Sequence, residues 1–342
     1  MKDRSRITII GLGLIGGSLG LALKAKGLDS LEIVGHDRDR AVEGRAAKLG
    51  AIDRGEHNLP RAVEQAQLVI IATPILAIRE VMEQIAPYLP KGCVVTDTGS
   101  TKAQVMQWAE DLLPPNVHFV GGHPMAGKEK QGIEQAEAVL FDGSAYAVIP
   151  SLRADEAAVH SLLSIISLIG ARPLFLDAAE HDRYVAAVSH LPLIVSASLF
   201  TLVRSSPGWP DLATLAASAF RDLTRLASGD PALARDICLT NRDAIVHWID
   251  RLVGELHRYR ELVVDDSEGL YQLFIQAQAD RDRFLAEGPL AFAEADKPHD
   301  IGAGVASSLL GGAVVERMRQ RGLSKQRLKG AFKGENEKDP GK

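Results

Sequence analysis

Cysteine is scarce in this chain. Only Cys93 and Cys238 occur among 342 residues, and they stand far apart. That speaks against a disulfide framework and a cysteine-ligated metal centre, and it fits a reducing, cytoplasmic setting. No metal site is expected from the sequence. Long hydrophobic runs are also missing. No apolar stretch of the sequence reaches the length of a bilayer crossing, and Met1-Lys2-Asp3-Arg4 leads into a strand pattern without the apolar region of a secretion signal. The net charge of -5 gives no general attraction for nucleic acid. Lysine is absent between Lys130 and Lys297, which leaves arginine as the permanent cation of that stretch. What remains, 46% hydrophobic and 24% charged residues, is ordinary for a soluble globular chain long enough for two domains.

The first half alternates short β-rich apolar runs with amphipathic segments. Strands are expected at 6–10, 31–35, 68–72, 93–97, 117–120, 145–149 and 173–176, and helices at 15–26, 75–86 and 154–169. Such alternation implies a mostly parallel sheet covered on both faces. Around Asp177 the pattern changes to long Ala-, Leu-, Arg- and Asp-rich stretches of helical period, as in 236–262. Ser205-Ser206-Pro207-Gly208-Trp209-Pro210 reads as a loop between helices. The expected division is a sheet domain over 1–176, an all-helical domain over 177–288, and a tail over 289–342 with one docked helix at 303–320 and a disordered end.

Gly11-Leu12-Gly13-Leu14-Ile15-Gly16 follows a strand and opens a helix. This is the setting of a dinucleotide fingerprint: Gly11 for a tight turn, Gly13 for close approach to a pyrophosphate, Gly16 for helix–sheet packing, with phosphates at the helix N-terminus beside Leu14 and Ile15. Asp37 ends the next strand about 20 residues on, where a carboxylate can hold both ribose hydroxyls. It favours NAD, since a carboxylate repels a 2′-phosphate. Arg38 and Arg40 leave NADP open.

At the other end of the crevice, Asp97-Thr98-Gly99-Ser100-Thr101-Lys102 follows a strand; by spacing alone Ser100 is a helix cap before it is a ligand-orienting group. Gly121-Gly122-His123-Pro124 sets His123 just after the next strand, with a surface role and a functional one on level terms. Pro192 interrupts a helical pattern, so a kink there turns Ser189 or His190 toward a cleft, or merely packs the histidine. Asp222 and Arg225 are three apart on one helix face: a surface ion pair, or a guanidinium that binds a substrate carboxylate in bidentate fashion.

Together these motifs resemble the prephenate/arogenate dehydrogenase family of tyrosine biosynthesis. The match runs through GLGLIGGS, the Ala72-Thr73-Pro74 turn, DTGSTK at 97–102, GGHPMAGKEKQG at 121–132, SHLP at 189–192, FRDLTR at 220–225, then Pro231, Arg235-Asp236 and Asn241. The resemblance implies an α/β Rossmann-type dinucleotide-binding domain followed by an all-α dimerisation and substrate domain, a homodimer, and oxidative decarboxylation of arogenate or prephenate with NAD(P). It implies His123 as the base that takes the ring-hydroxyl proton and Ser100 as its orienting partner. Arg225 becomes the carboxylate clamp steadied by Asp222, Glu129 an acid at the substrate entrance, and Ser189 and His190 pocket-lining groups. Thr73, Pro74 and Thr98 fall beside the cofactor. Many prephenate-using relatives carry a second histidine where this chain has Leu193, which favours arogenate or relaxed specificity. Lys128 beside Glu129 is expected to neutralise that acid if the two pair. No tyrosine-sensing regulatory domain is expected. The alternative is another oxidoreductase of the same architecture, of imine or β-hydroxyacid type; the absence of a helical-domain lysine counts against the latter.

Overall fold

The computed structural model describes residues 4–128 and 130–287. Its first half comprises β1 (Ser5–Ile10), α1 (Leu14–Lys24), β2 (Leu31–His36), α2 (Arg40–Lys48), β3 (Arg54–Gly55), α3 (Leu59–Val63), β4 (Leu68–Ile71), α4 (Ile75–Ile85), β5 (Val94–Asp97), α5 (Ala103–Leu112), β6 (His118–Pro124), β7 (Ala145–Pro150), α6 (Glu156–Leu168) and β8 (Arg172–Phe175). The strands form one sheet in the order β3-β2-β1-β4-β5-β6-β7-β8. Every pairing is parallel except β6 with β7. Central strands such as Leu68–Ile71 and Val94–Asp97 are buried along their whole length, as strands covered on both faces must be. The order reverses between β1 and β4, so their carboxyl-end loops part and leave a crevice there.

Two departures from the sequence pattern bear on the site. β3 is only two residues long, too short to carry a period. β6 continues to Pro124 rather than stopping at Val120, so His123 lies within a strand, paired with Ala147 of β7, and not in a loop. Gly122 permits this extension: a Cβ there would stand 2.6 Å from the Asp97 carbonyl oxygen and 2.9 Å from the Tyr146 hydroxyl.

The second half is helical: α7 (Ala178–Val185), a π-helical turn (Ala186–His190), α8 (Leu191–Arg204), α9 (Trp209–Leu215), α10 (Ser218–Leu223), a 3-10 turn (Arg225–Ser228), α11 (Pro231–Thr240), α12 (Arg242–Asp265) and α13 (Ser267–Glu287). The Pro/Gly loop falls between α8 and α9 as expected. The stretch 236–262 is not one helix, because Asn241 leaves helical geometry at φ -132° and separates α11 from α12. Pro192 does not break the chain's helix either. It follows directly on the π-helical turn, where the regular hydrogen-bond ladder is already interrupted, and α7, the wide turn and α8 run on as one 27-residue helix from Ala178 to Arg204. By length and composition that helix is long and apolar enough to cross a membrane, contrary to the reading of the sequence. It nonetheless carries His181, Asp182 and His190, all buried. The helix expected at 303–320, the tail and any question of a further domain lie outside the described residues.

Helix α1 packs on the sheet through Gly16, where a Cβ would lie 1.9 Å from the Gly11 carbonyl oxygen. Backbone cannot yield there as a side chain would. Gly16→Ala is therefore expected to destabilise the protein by about 2 kcal/mol or more, read as a lowered urea midpoint.

Candidate active site

The cofactor end is built from sterics. Gly11 has φ +90°, and a Cβ on it would stand 2.6 Å from the Ala72 carbonyl oxygen. Gly13, the N-cap of α1, has nothing within 4 Å of such a Cβ, and no side chain caps the first N–H groups of α1. That is room and polarity for a pyrophosphate. Leu14 is buried and Ile15 half-buried behind the turn. Asp37 stands just beyond β2 and bridges two turns: Oδ2 accepts from the Leu12 N–H (2.9 Å) and Oδ1 from the Asp39 N–H (3.0 Å). Arg38 is exposed. Thr73 and Pro74 lead into α4, with Pro74 as its N-cap, and Thr98 follows β5 with its N–H on the Ile71 carbonyl at 3.1 Å. These residues rim the crevice and fit a dinucleotide.

Across the crevice the site rests on a carboxylate that the sequence reading missed. Asp182 of α7 takes the first free N–H groups of α5: Oδ1 accepts from Lys102 N–H (2.7 Å) and Oδ2 from Ala103 N–H (2.8 Å). A helix N-terminus favours such an anion. Asp182 Oδ1 also meets His181 Nδ1 at 2.8 Å, and His181 Nε2 meets His123 Nδ1 at 2.9 Å. A carboxylate only accepts, so His181 Nδ1 carries the proton and its Nε2 accepts from His123 Nδ1–H. This chain of donors leaves His123 Nε2 as the nitrogen with the lone pair.

Charge keeps that lone pair free. Burial, helped by His181, Lys102 and His190, holds the His123 imidazole well below its ordinary pKa of 6.5. His181 is also lowered, mainly by burial and against the pull of its bond to Asp182. Lys102 is fully buried and paired with Asp97, whose carboxylate also accepts from Gly99 N–H (2.8 Å) and Gly122 N–H (3.2 Å). The pair thus ties the loop after β5 to β6. Its Lys sits in the DTGSTK run, but nothing in that spacing marks it as buried.

His190, on the wide turn, points inward and is 1% exposed. The turn is closed by Leu191 N–H on the Ala186 carbonyl, a bond five residues long. Asn241 Nδ2 donates to His190 Nδ1 (3.2 Å) and to the Asp182 carbonyl (2.7 Å). His190 Nε2 then holds the ring proton; it is turned toward the Ser100 carbonyl without closing a well-formed hydrogen bond. Burial pushes the His190 pKa down to about 4. Ser100 is half-buried and does not cap α5; Lys102 is the N-cap residue and Asp182 supplies the anion instead.

His123, Ser100 and His190 therefore converge. Ser189, on the same turn, is exposed. Asp222 and Arg225 are exposed and do not share a helix: Asp222 lies in α10 and Arg225 opens the next 3-10 turn, beyond the joint at Thr224. That turn is fastened to α8 by Ala227 N–H on Ser196 Oγ at 3.0 Å. Glu129 lies outside the described residues. Lys128 pairs with Glu137 at 2.5 Å and with the Gln135 carbonyl at 3.3 Å.

A dinucleotide crevice facing a buried, neutral histidine on β6 is the site of an oxidoreductase. Residues 19–174 match the family model described as the prephenate dehydrogenase nucleotide-binding domain, and residues 177–276 match its dimerization domain. The chain belongs to the prephenate dehydrogenase family. It is 38% identical over 285 residues to a prephenate dehydrogenase of Bacillus subtilis, covering 82% of this chain and 76% of that one. The fold overlays on Aquifex aeolicus prephenate dehydrogenase solved with hydroxyphenyl propionate and NAD+ (TM-score 0.77, 29% identity, 82% and 98% covered). It also overlays on Synechocystis arogenate dehydrogenase (TM-score 0.70, 30% identity, 82% and 99% covered).

The three buried rings have a consequence for stability. Their folded pKa values lie below the unfolded value near 6.5, so the unfolded chain binds more protons as pH falls. The stability held above pH 6.5 is then lost at up to about 1.4 kcal/mol per pH unit for each ring. For His190 the loss continues to about pH 4. Urea midpoints measured from pH 8 to pH 5 should fall steadily below 6.5; a flat profile would show the rings to be charged in the folded state.

Proposed function

We propose that this chain catalyses the NAD-dependent oxidative decarboxylation of arogenate, and of prephenate less readily, to tyrosine or 4-hydroxyphenylpyruvate. The single observation that carries this reading is the His123–His181–Asp182 chain, which leaves an uncharged imidazole nitrogen as acceptor beside a dinucleotide crevice. Bound nicotinamide supplies a two-electron hydride acceptor. His123 Nε2 takes the hydroxyl proton as the carbon–hydrogen bond of the ring alcohol breaks, and a ketone forms. The bond to the ring carboxylate then breaks, carbon dioxide leaves, and its electron pair makes the ring aromatic. His123 returns the proton to the oxygen, so no net proton is released. Asp182 and His181 hold the ring of His123 in the required tautomer. Ser100 orients the hydroxyl, and Ser189 and His190 line the substrate pocket from the helical side. Arg225, steadied by Asp222, takes the substrate's side-chain carboxylate, with Glu129 near the entrance.

NAD is the cofactor read from Asp37; the proposed division is at residues 176 and 177, with the helical part through 288 and the tail 289–342 beyond it. Leu193 supports arogenate: it packs against the apolar core shared by the sheet and helical halves and offers no donor to a pyruvyl side chain. Exposed apolar residues on α8, α12 and α13, among them Leu202, Val253, Leu256 and Phe274, support a homodimer through the helical domain. A cytoplasmic location fits the sparing use of cysteine.

Steady-state rates with both substrates against both cofactors test the assignment; arogenate with NAD is expected to give the largest kcat/KM. His123→Asn should lower kcat by about 1,000-fold with NADH binding intact, and near-normal turnover would reject the base. His181→Gln should cost about 10- to 100-fold in kcat with little change in KM, as loss of a tautomer-setting partner predicts. Arg225→Ala should chiefly raise KM for the substrate. A monomer in light scattering would overturn the dimer.

A further inference from the structure

Glu43 of α2 is 7% exposed and lies beyond the dinucleotide fingerprint. Its Oε1 accepts the N–H of Asp37 at 3.0 Å. It therefore fixes the backbone of the residue whose carboxylate spans Leu12 and Asp39. The side chain lies across β3, where a Cβ on Gly55 would stand 3.2 Å from Glu43 Cβ and 3.4 Å from Oε2. Among the described residues its only ion-pair partners are histidines: His57 Nδ1 at 3.2 Å and His36 Nδ1 at 3.7 Å from Oε1. Among the described residues no arginine or lysine pairs with it, although Arg38 lies in the β2–α2 connection and Arg40 opens α2. Two histidines and a carboxylate so arranged also suggest a metal site. The bonding speaks otherwise: His36 Nδ1 is engaged with the Glu56 carbonyl at 3.0 Å, and Glu43 Oε1 is engaged with a backbone N–H.

We propose that Glu43 is a second specificity-determining residue for the cofactor, resting on the NAD reading above. Asp37 meets the ribose hydroxyls; Glu43 acts behind it in two ways. It positions Asp37 through that residue's N–H, and it adds a buried carboxylate, paired among the described residues with histidines and with no permanent cation, that opposes a 2′-phosphate. The doubled negative potential explains why two neighbouring arginines do not make this an NADP site. Buried charge is little screened by salt, so the effect should persist at physiological ionic strength.

Dissociation constants for NADH and NADPH, measured by nicotinamide fluorescence, test this directly. Glu43→Gln keeps an acceptor for the Asp37 N–H and removes the charge. It should tighten NADPH about tenfold while NADH affinity changes less than about twofold. Glu43→Asp, which keeps the charge, should keep the selectivity. Glu43→Ala loses the acceptor as well and should weaken NADH about tenfold. Should the Gln variant fail to fold, His57→Arg leaves Glu43 in place, sets a permanent cation against it, and should move selectivity the same way. A wild-type chain that binds both cofactors equally overturns the NAD reading. A NAD-selective wild type whose folded Gln variant, or His57→Arg variant, keeps the same NADPH-to-NADH ratio overturns this inference alone.

Discussion

The carboxylate of Asp182 at the N-terminus of α5 is the contact from which the site follows. It lies in the helical half yet takes two N–H groups from the sheet half, and its own carbonyl is held by Asn241. Helix N-termini need an anion or a cap, and here a residue from another domain is that anion. The same oxygen that receives Lys102 N–H orients His181, which in turn orients His123. Domain docking and tautomer choice thus rest on one group. A second tie, Thr101 Oγ1 to Thr240 Oγ1 at 2.9 Å, fastens the end of α11 to the same loop.

Electrostatics and sterics divide the crevice between them. Near α1 the work is done by missing side chains, at Gly11, Gly13 and Gly16. Near α5 it is done by a fully buried Lys–Asp pair flanked by histidines. Buried ion pairs contribute little net stability, because desolvation offsets their attraction. This one joins β5, β6 and the intervening loop, and its ammonium disfavours protonation of His123 and His181.

The sheet was legible because its strands are short apolar runs between glycine turns, and their order of types survives in the structure. The glycine turn and Asp37 were legible for the same reason: each answers a local steric or charge requirement. His123 was singled out from its glycine-flanked setting, but its strand was cut short at Val120, since Gly121 and Gly122 carry no strand propensity; cross-strand pairing with β7 overrides it. His181 and Asp182 left no trace, because a polar pair on an Ala-rich amphipathic helix looks like its solvent face. Their burial depends on what docks there. Ser100 resembled a cap for a like reason: spacing could not reveal that a residue about eighty positions later takes the helix end. The single helix face assumed for Asp222 and Arg225 failed at Thr224, whose hydroxyl turns back to the Phe220 carbonyl at 2.7 Å as the helix ends.

The π-helical turn at Ala186–His190 amounts to one extra residue folded into an otherwise continuous helix. The wider turn absorbs that residue locally, so α8 continues along nearly the line and face that an unbroken helix would keep. Excising one position there would restore regular hydrogen bonding with little change in how α8 lies against its neighbours. What would be lost is the widened stretch of backbone that carries His190 into the interior. The surplus residue thus serves the ring and not the run of the helix.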